Sequence, residues 1–450
     1  MPHFASDRRQ FLAATGSAFA ALLASGCAIR TSGLDGASGR ANGAAGFAGY
    51  GPLRADPQGL LDLPQGFSYR VLSRLGDAMD DGRTVPDKAD GMGCFDIGNG
   101  EIALVRNHEL VPSDDAGGAF ESGFGTRHGE IVPGGTTTIV LDAETLAVKR
   151  QFRTLVGTIR NCAGGVTPWG SWLTCEEAPT GPGQKYGDGL ARNHGWVFEV
   201  PAASRGLVDP VPLTAMGRFN HEAACVDPQT GYVYMTEDRD DSVLYRFVPD
   251  APGDLARGGR LQAMAIDGLA DTRNWNGAVM PVGRGHAVRW IDLDNVEAPA
   301  DDLRSRAAAK GAALIARGEG LHMGDGEMFA CATSGGAKGL GQIFRLIPGR
   351  GRGPDRFELF FESESPNQFN YGDNLCVAPN GHLIVCEDQY TEVVDNHLRG
   401  ITPGGAAYDF ARLGSQTELA GACFSPDGKY LFVNAYSPAA TLAITGPWAA

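Results

Sequence analysis

The stretch Ala224-Cys225-Val226-Asp227, followed by Gly231 and then by Thr236-Glu237-Asp238, has the pattern of a β-hairpin. An apolar strand leads into a tight polar turn, and a second apolar strand follows. The same pattern occurs six times in the 450 residues. The six turn glycines are Gly100, Gly170, Gly231, Gly326, Gly381 and Gly428. Repeated hairpins predict an all-β fold, and six of them predict a six-bladed β-propeller.

The spacing of the hairpins predicts the order of the blades. We place blades one to three at about 66–150, 151–215 and 216–250, and blades four to six at about 317–365, 366–410 and 411–440. The segment between Asp250 and Ala316 is a helical insertion between blades three and four, because its end, from Asp301, is rich in Ala and Arg. Phe67–Leu72 and the tail Thr441–Trp448 are candidate strands for closing the ring.

Acidic residues recur at two positions of the repeated hairpin. The start of the first strand and the end of the second lie at the same end of an antiparallel hairpin. The starts carry Asp90, Cys162, Glu222, Glu319, Asp373 and Glu418, and the ends carry Asn107, Glu176, Glu177, Glu237, Asp238, Glu387 and Asp388. Carboxylates crowded in one cleft need cations to stay ionised. We therefore predict a multinuclear metal centre at one mouth of the propeller; acids that only cap turns are the alternative.

Two Asn-His-Glu triplets occur at this predicted mouth. Asn107-His108-Glu109 closes the first hairpin, and Asn220-His221-Glu222 opens the third. The two histidines either bind metal or donate hydrogen bonds to the carboxylates that do, and we favour the second role.

Composition limits the possible partners. The formal net charge of −15 argues against binding to nucleic acid or to anionic lipid. An anionic substrate would need local cations, which bound metal and an Arg would supply. The nine cysteines are expected to be mostly small buried thiols rather than disulfides, because equivalent strands of different blades lie too far apart to be bridged.

The N-terminus has the pattern of an export signal. Ser6–Leu12 contains the Arg8-Arg9 pair of a twin-arginine signal, and Ala13–Leu23 is a short apolar run. Leu23-Ala24-Ser25-Gly26-Cys27 resembles a lipobox, so residues 1–27 are interpreted as a signal and Cys27 as a lipidation site; ordinary cleavage is the alternative. Residues 28–58 are expected to form a flexible tether to a propeller domain at 59–450. We expect a periplasmic or cell-envelope protein.

The segment Asn161-Cys162-Ala163-Gly164-Gly165, continued by Val166–Glu177, resembles the hallmark of the PhoX alkaline phosphatases. The twin-arginine signal, the Asn-His-Glu triplets, Arg317-Gly318-Glu319 and Gly372–Leu375 also match that family. The resemblance covers nearly all of the mature chain, which is a short member.

The resemblance implies a six-bladed propeller with two Fe³⁺ ions and two or three Ca²⁺ ions at its mouth. Cys162 would bridge the irons. The implied metal ligands are Cys162, Glu109, Glu177, Glu222, Glu319 and Asp373. Residues that surround or join them are Asn107, His108, Asn161, Glu176, His221, Glu387 and Asp388. Arg317 would bind the phosphoryl group of a small phosphomonoester.

The implied activity is hydrolysis of phosphomonoesters by a metal-dependent alkaline phosphatase, which we expect to be a monomer. Two alternatives remain open at this point. One is a differently specific hydrolase such as a lactonase, and the other is a non-catalytic metal-binding propeller.

Overall fold

The six predicted hairpins all form as antiparallel strand pairs. The structure is a computed structural model, and it describes residues 49–389 and 395–448. The predicted signal, Cys27 and most of the predicted tether lie outside the described residues.

The N-terminal part of the described chain is built almost entirely of strands. These are β1 (Leu53–Arg54), β2 (Leu61–Pro64), β3 (Ser68–Arg74), β4 (Ala89–Gly98), β5 (Glu101–His108), β6 (Thr126–Arg127), β7 (Glu130–Ile131), β8 (Gly134–Asp142) and β9 (Val148–Thr158). The next strands are β10 (Asn161–Val166), β11 (Ser171–Glu176), β12 (Val197–Pro201), β13 (His221–Val226), β14 (Val233–Glu237), β15 (Ser242–Val243) and β16 (Tyr245–Pro249).

The rest of the chain adds one α-helix among the described residues. The elements are β17 (Gly259–Ile266), β18 (Gly285–Asp292), helix α1 (Leu303–Ala309), β19 (Leu314–Ile315), β20 (Gly318–Met323), β21 (Met328–Ala332), β22 (Gln342–Ile347) and β23 (Asp355–Glu362). The last strands are β24 (Gly372–Val377), β25 (Leu383–Glu387), β26 (His397–Ile401), β27 (Ala407–Leu413), β28 (Leu419–Phe424), β29 (Tyr430–Ala435) and β30 (Ala440–Thr445).

The sheets follow one another around a ring. Their strand orders are β4-β5-β8-β9, β10-β11-β12, β28-β29-β30-β3, β1-β2-β27-β26-β25-β24, and a nine-stranded sheet β13-β14-β16-β17-β18-β23-β22-β21-β20. Strands β4, β10, β13, β20, β24 and β28 contact one another in that order, and β28 contacts β4. The fold is therefore all-β with a propeller-like arrangement, and none of the helices in its described part is long and apolar enough to cross a membrane.

The predicted closing strands pair with each other. β3, which contains most of Phe67–Leu72, pairs antiparallel with β30, so an N-terminal strand completes the sheet of the last hairpin. This pairing ties the two ends of the described fold together without a covalent bond.

The segment 250–316 differs from the predicted helical insertion. Its first part forms β17 and β18, which pair with β16 and β23 and so join the sheets of the third and fourth hairpins. Only α1 is α-helical, because Gly311, at φ 93°, ends the helix in the backbone conformation that favours glycine. Helix α1 buries Leu303 and Ala307 against the third hairpin's core cluster.

Two other predicted boundaries also differ from the structure. β9 continues the first sheet to Thr158, beyond the predicted end of blade one near 150, because Val148–Thr158 pairs with β8. The folded part also begins before residue 59. β1 pairs with β2, and the Tyr50 ring packs 4.8 Å from the Phe67 ring, so apolar contacts hold residues that we assigned to the tether.

All six hairpins carry a β-bulge at the same place. In each first strand two residues lie opposite one residue of the second strand. The bulged pairs are Asp90-Gly91, Cys162-Ala163, Glu222-Ala223, Glu319-Gly320, Asp373-Asn374 and Gly421-Ala422. A bulge re-aims a side chain and is common beside active sites. Glu418 lies before β28 and not in the sixth bulge, so the predicted equivalence of Glu418 with the other first-strand residues is off by several positions.

The bulges also explain small residues that the sequence repeats. A Cβ added to Gly91 would lie 2.6 Å from the Ala163 backbone, and one added to Gly320 would lie 2.6 Å from the Asp373 carbonyl oxygen. Neighbouring first strands therefore approach each other too closely for a larger side chain. Cys175, Cys331 and Cys386 lie opposite bulges and are fully buried, and the eight described cysteines are free thiols, as predicted.

Candidate metal centre

Two groups of acidic and thiol side chains meet at one end of the hairpins. The ligand atoms of Glu109, Cys162 and Glu177 all lie within 4.8 Å of one another, and so do those of Glu222, Glu319 and Asp373. These are the six residues to which the sequence analysis assigns metal binding. All except the partly exposed Cys162 are buried.

The bulges and the strand ends place these side chains. Cys162, Glu222, Glu319 and Asp373 are each the first residue of a bulge. Glu109 and Glu177 directly follow β5 and β11. Each group therefore joins residues from different hairpins, which become neighbours only when the strands pack side by side.

The second group contains carboxylate oxygens that the described residues leave without hydrogen bonds. Both oxygens of Glu222 are buried and have no hydrogen-bond partner. Burial, followed by the nearby charges of Asp373 and Glu177, raises the pKa of Glu222 well above its usual range. Burial and Asp388 raise the pKa of Asp373 to about 7. Buried carboxylates of this kind destabilise the folded protein unless they take up protons or bind cations.

The thiol of Cys162 lies among acids. It donates a hydrogen bond to Asp90 Oδ2 at 3.5 Å, and the other Asp90 oxygen is buried without a partner. Desolvation of the sulfur atom, followed by the charges of Asp90 and Glu222, raises the pKa of the Cys162 thiol well above its ordinary value. A bound cation would reverse this effect and favour the thiolate.

Arg317 lies directly beside the second group. Its Nε donates to Asp238 Oδ1 at 2.7 Å, and its Nη2 donates to Glu319 Oε1 at 2.9 Å. The side chain is 24% exposed, so it contacts the buried acids and also reaches solvent. Its position before β20 therefore suits a group that meets a molecule from outside.

Comparison with known families identifies the scaffold of this centre. The family model described as alkaline phosphatase PhoX matches residues 48–439. The chain belongs to the PhoX family of alkaline phosphatases. It is an enzyme of the phosphatase class, and the metal dependence of PhoX proteins agrees with the two acidic groups at the mouth.

A solved structure of a PhoX protein shares the fold. PhoX of Pseudomonas fluorescens, solved in complex with vanadate, a transition state analogue, has a TM-score of 0.67 and 21% identity, and the match covers 86% of this chain and 96% of that one. A gluconolactonase of Xanthomonas campestris matches with a TM-score of 0.41 and 16% identity over 88% of this chain and 98% of that one. None of the curated proteins matches the chain.

The two acids of each pair at the strand ends have different partners. Glu176 accepts hydrogen bonds from the backbone N–H of Ile159 and of Gly195 and from His194 Nδ1, the last at 2.6 Å. The next residue, Glu177, belongs to the first of the two candidate metal-binding groups instead. Glu176 was assigned near the ligands, but its oxygens are occupied by protein donors.

Glu387 and Asp388 repeat this division. Glu387 accepts hydrogen bonds from the backbone N–H of Asn370, at 2.9 Å, and from Arg399 Nε, at 2.7 Å, and it is fully buried. The charge of Asp388 acts on Asp373 and raises its pKa. Of this pair, Asp388 is the one near the candidate metal centre.

The asparagines and histidines near the PhoX hallmark hold the hairpins in place. The amide Nδ2 of Asn107 donates to the carbonyl oxygens of Cys162 and Ala163 at 2.8 Å each, and its Oδ1 accepts from Trp172 Nε1. Asn161 Nδ2 donates to Thr174 Oγ1 at 2.9 Å. Both asparagines therefore fix the strand that carries the thiol.

The structure brings neither histidine into the two candidate metal-binding groups. The ring nitrogens of His108 lie 2.8 Å from the Asp87 carbonyl oxygen and 2.9 Å from Thr137 Oγ1, so both are engaged. His221 Nε2 lies 2.9 Å from the Gly217 carbonyl oxygen, and its ring stacks on Phe219. These contacts leave neither ring nitrogen of His108 free to bind a metal, which was one of the two roles predicted from the sequence.

Sequence reasoning left four residues of the site unassigned. Asp90, Asp238 and Glu418 were counted among the acids of the mouth but not among the ligands, and Arg160 was not assigned at all. Arg160 Nη2 lies 2.7 Å from Glu109 Oε1 and 2.5 Å from Glu177 Oε2. The signal was available in the repeat, because Arg160 precedes Asn161-Cys162 as Arg317 precedes Gly318-Glu319.

The donor set fits a centre of several cations. Carboxylate oxygens are the ligands that Ca²⁺ prefers, and a thiolate among them suits a transition metal such as iron. The partnerless oxygens of Glu222 and Asp90 offer coordination that the described residues do not use.

Proposed function

We propose that the protein hydrolyses phosphomonoesters at a centre of two Fe³⁺ ions and two or three Ca²⁺ ions in the mouth of a six-bladed propeller. The observation that carries the proposal is the Glu222 carboxylate, which is buried without any hydrogen bond beside Glu319 and Asp373. A protein that keeps such a group needs a compensating charge at that point. The six-blade count is supported by the closed ring of contacts among the first strands of the six hairpins.

The side chains of the two groups would share the ions between them. Cys162, with Glu109 and Glu177, would hold the ions that need a soft ligand, and Glu222, Glu319 and Asp373 would supply hard oxygen ligands. When bound, the cations supply positive charge that stabilises the phosphoryl oxygens and lowers the pKa of a coordinated water.

Arg317 would bind the substrate rather than the cations. Its guanidinium presents a planar pair of N–H donors, which matches two oxygens of a phosphoryl group. The contacts with Asp238 and Glu319 hold the guanidinium in one orientation. The contact with substrate would strengthen as negative charge develops, so Arg317 would assist the reaction as well as binding.

The deciding experiment is elemental analysis of the exported protein together with hydrolysis of nitrophenyl phosphate. We expect iron and calcium, and we expect Cys162→Ala to lose iron and activity. Cys376→Ala, which removes a buried strand thiol three residues after the bulge residue Asp373, is the matched control and should keep both. An iron-free protein with full phosphatase activity would disprove the iron assignment, and opening of lactones without phosphatase activity would favour the lactonase alternative.

We further propose that the protein is exported by the twin-arginine route as a monomer and is anchored in the cell envelope through Cys27. The Arg8-Arg9 pair and the lipobox-like end at Cys27 support this proposal. Replacing both arginines with lysine should block export. Cys27→Ala should release an active protein from the membrane fraction, and a Cys27→Ala protein that stays in that fraction would rule out the lipid anchor.

A further inference from the structure

Arg160 and Arg317 occupy the same position in two different hairpins. Each directly precedes a first strand, and each lies two residues before the bulge residue, Cys162 or Glu319. Both have a left-handed backbone, with φ of 50° and 48°. Non-glycine residues seldom adopt this conformation, and its occurrence at both arginines shows that one local geometry aims both side chains.

The two guanidinium groups also make the same kind of contact. Arg160 joins Glu109 to Glu177, and Arg317 joins Asp238 to Glu319, so each joins acids of the mouth. The side chain of Arg160 is 39% exposed. It is thus at least as accessible from outside as the side chain of Arg317.

A chain of hydrogen bonds connects the two arginines across the third hairpin. Arg160 Nη2 contacts Glu177 Oε2 at 2.5 Å, and Glu177 Oε1 accepts from Asn220 Nδ2 at 2.7 Å. The same Asn220 Nδ2 donates to the Asp238 carbonyl oxygen at 3.1 Å, and Asp238 binds Arg317. Both arginines therefore belong to one side of the mouth.

Each guanidinium retains donors for another oxygen. Arg160 uses Nε and Nη2 for carboxylates and one N–H of Nη1 for the Glu177 carbonyl oxygen, which leaves one N–H of Nη1 available. Arg317 uses Nε and Nη2, so among the described residues both N–H groups of its Nη1 are available.

We infer that Arg160 is a second phosphate-binding residue, which forms a clamp with Arg317 on the phosphoryl group. The inference rests on the proposed function. Two guanidinium groups fixed at one side of the mouth would bind an anion with two or more oxygens, and they would orient a phosphomonoester before reaction.

The test measures binding of orthophosphate to the metal-loaded full chain by calorimetry, with the metal content of each variant determined by elemental analysis. Arg160→Met should lower orthophosphate affinity about 10-fold or more and keep the metals, since a hydrogen bond to a charged group contributes about 1.5–3 kcal/mol. Arg160→Lys should restore part of the affinity, because it keeps the charge but not the planar fork. The Michaelis constant for nitrophenyl phosphate should rise in parallel.

Lys88 provides the matched control. It precedes β4 with φ of 54°, the corresponding position of the first hairpin, but its Nζ binds Asp114 Oδ2 at 2.6 Å. Lys88→Met should leave phosphate affinity unchanged. Wild-type affinity in Arg160→Met, or loss of iron or calcium from it, would overturn the inference and reduce Arg160 to a partner of the carboxylates. A wild-type protein that holds metals but neither binds orthophosphate nor hydrolyses phosphomonoesters would overturn the proposed function itself.

Discussion

Glu176 and Glu177 are adjacent in the chain, but they meet opposite surroundings. The oxygens of Glu176 are filled by backbone N–H groups and by His194, so the protein itself stabilises the charge. Glu177 faces the mouth. Burial raises its pKa, Arg160 lowers it and Glu109 raises it again, so the pKa is about 8. Glu387 and Asp388 also differ: protein donors hold Glu387, whereas the charge of Asp388 acts on Asp373.

The contrast gives a physical criterion for telling anchors from ligands. A buried carboxylate saturated by donors fixes one segment of chain to another, and we call Glu176, Glu237 and Glu387 the anchor acids. A buried carboxylate that faces the other acids of the mouth, without donors as at Glu222 or bound by an arginine as at Glu177, makes the metal-free protein less stable and leaves a place for a cation. Predictions about single substitutions should therefore have opposite signs in the two sets.

The largest effect is expected at Glu222. Glu222→Gln removes a charge that has no hydrogen bond, so we expect loss of bound metal and loss of activity by more than about 100-fold, beyond the loss typical for residues that only support ligands. The metal-free variant should unfold at a higher temperature than the metal-free wild type, because the uncompensated group is gone. Elemental analysis and thermal unfolding measure the two effects.

The matched variant for Glu222→Gln is Glu237→Gln in the same hairpin. Glu237 accepts from Tyr245 Oη at 2.8 Å and binds Arg304, so this change should destabilise the metal-free protein rather than stabilise it. If both variants shift the unfolding temperature in the same direction, the distinction between anchors and ligands does not hold.

The second effect is a loss of stability at an anchor acid. Glu176→Gln leaves donors of the backbone and of His194 facing an amide, and we expect the free energy of unfolding to fall by about 3 kcal/mol, the loss typical for a broken buried pair. Glu177→Gln should instead raise the stability of the metal-free protein near pH 7, by of order 1 kcal/mol, since the raised pKa of Glu177 makes the folded wild-type protein take up a proton that an amide does not need. Denaturant unfolding measures both, and equal losses would contradict the assignment.

Part of this division was accessible from the sequence. The hairpin repeat predicted the strand pairs, and it placed the acids at one end, because antiparallel geometry depends on residue spacing alone. The ligand set came from the resemblance to the PhoX family, and the structure brings those six residues together as two groups of three. Whether Glu176 or Glu177 faces the mouth depends on the donors of Gly195 and His194, which approach from a distant loop. That contact has no signature in the hairpin itself.

The helical insertion predicted over 250–316 is wrong in its extent for a related reason. Ala- and Arg-rich sequence indicated helix over 301–316, but the residues before it form β17 and β18, and β18 pairs with β23, about 70 residues further along the chain. Long-range pairing overrides local propensity. The bulges were also missed, since they show in the sequence only as small second residues such as Gly91 and Gly320.

The third effect concerns pH and sharpens the comparison at the mouth. Burial raises the pKa of Glu177 from 4.5 to about 8 and that of Asp373 from 3.8 to about 7. Between the ordinary and the raised pKa of each group, the metal-free folded protein holds more protons than the unfolded chain. Its free energy of unfolding should therefore fall as the pH rises from about 4.5 to about 8. We expect a fall of order 2 kcal/mol, since one pKa unit corresponds to about 1.4 kcal/mol and the neighbouring acids share the effect.

Unfolding titrations of the chelator-treated protein and the metal-loaded protein measure this dependence. Bound cations favour the ionised carboxylates, so the loaded protein should lose the fall and gain stability over the same range. A metal-free protein that becomes more stable towards pH 8 would show that the acids of the mouth are already compensated within the protein.

The smallest effect is expected at a thiol away from the bulges. Cys376 lies within β24, buried in an apolar cluster with Ile384 and Leu398, and burial raises the pKa of its thiol well above the ordinary value, so it stays protonated. Cys376→Ala should lower the free energy of unfolding by about 1 kcal/mol through the lost packing of one sulfur atom. Metal content and phosphatase activity should not change. Denaturant unfolding and elemental analysis test the prediction, and loss of iron from Cys376→Ala would mean that the centre extends beyond the bulge residues into the strands.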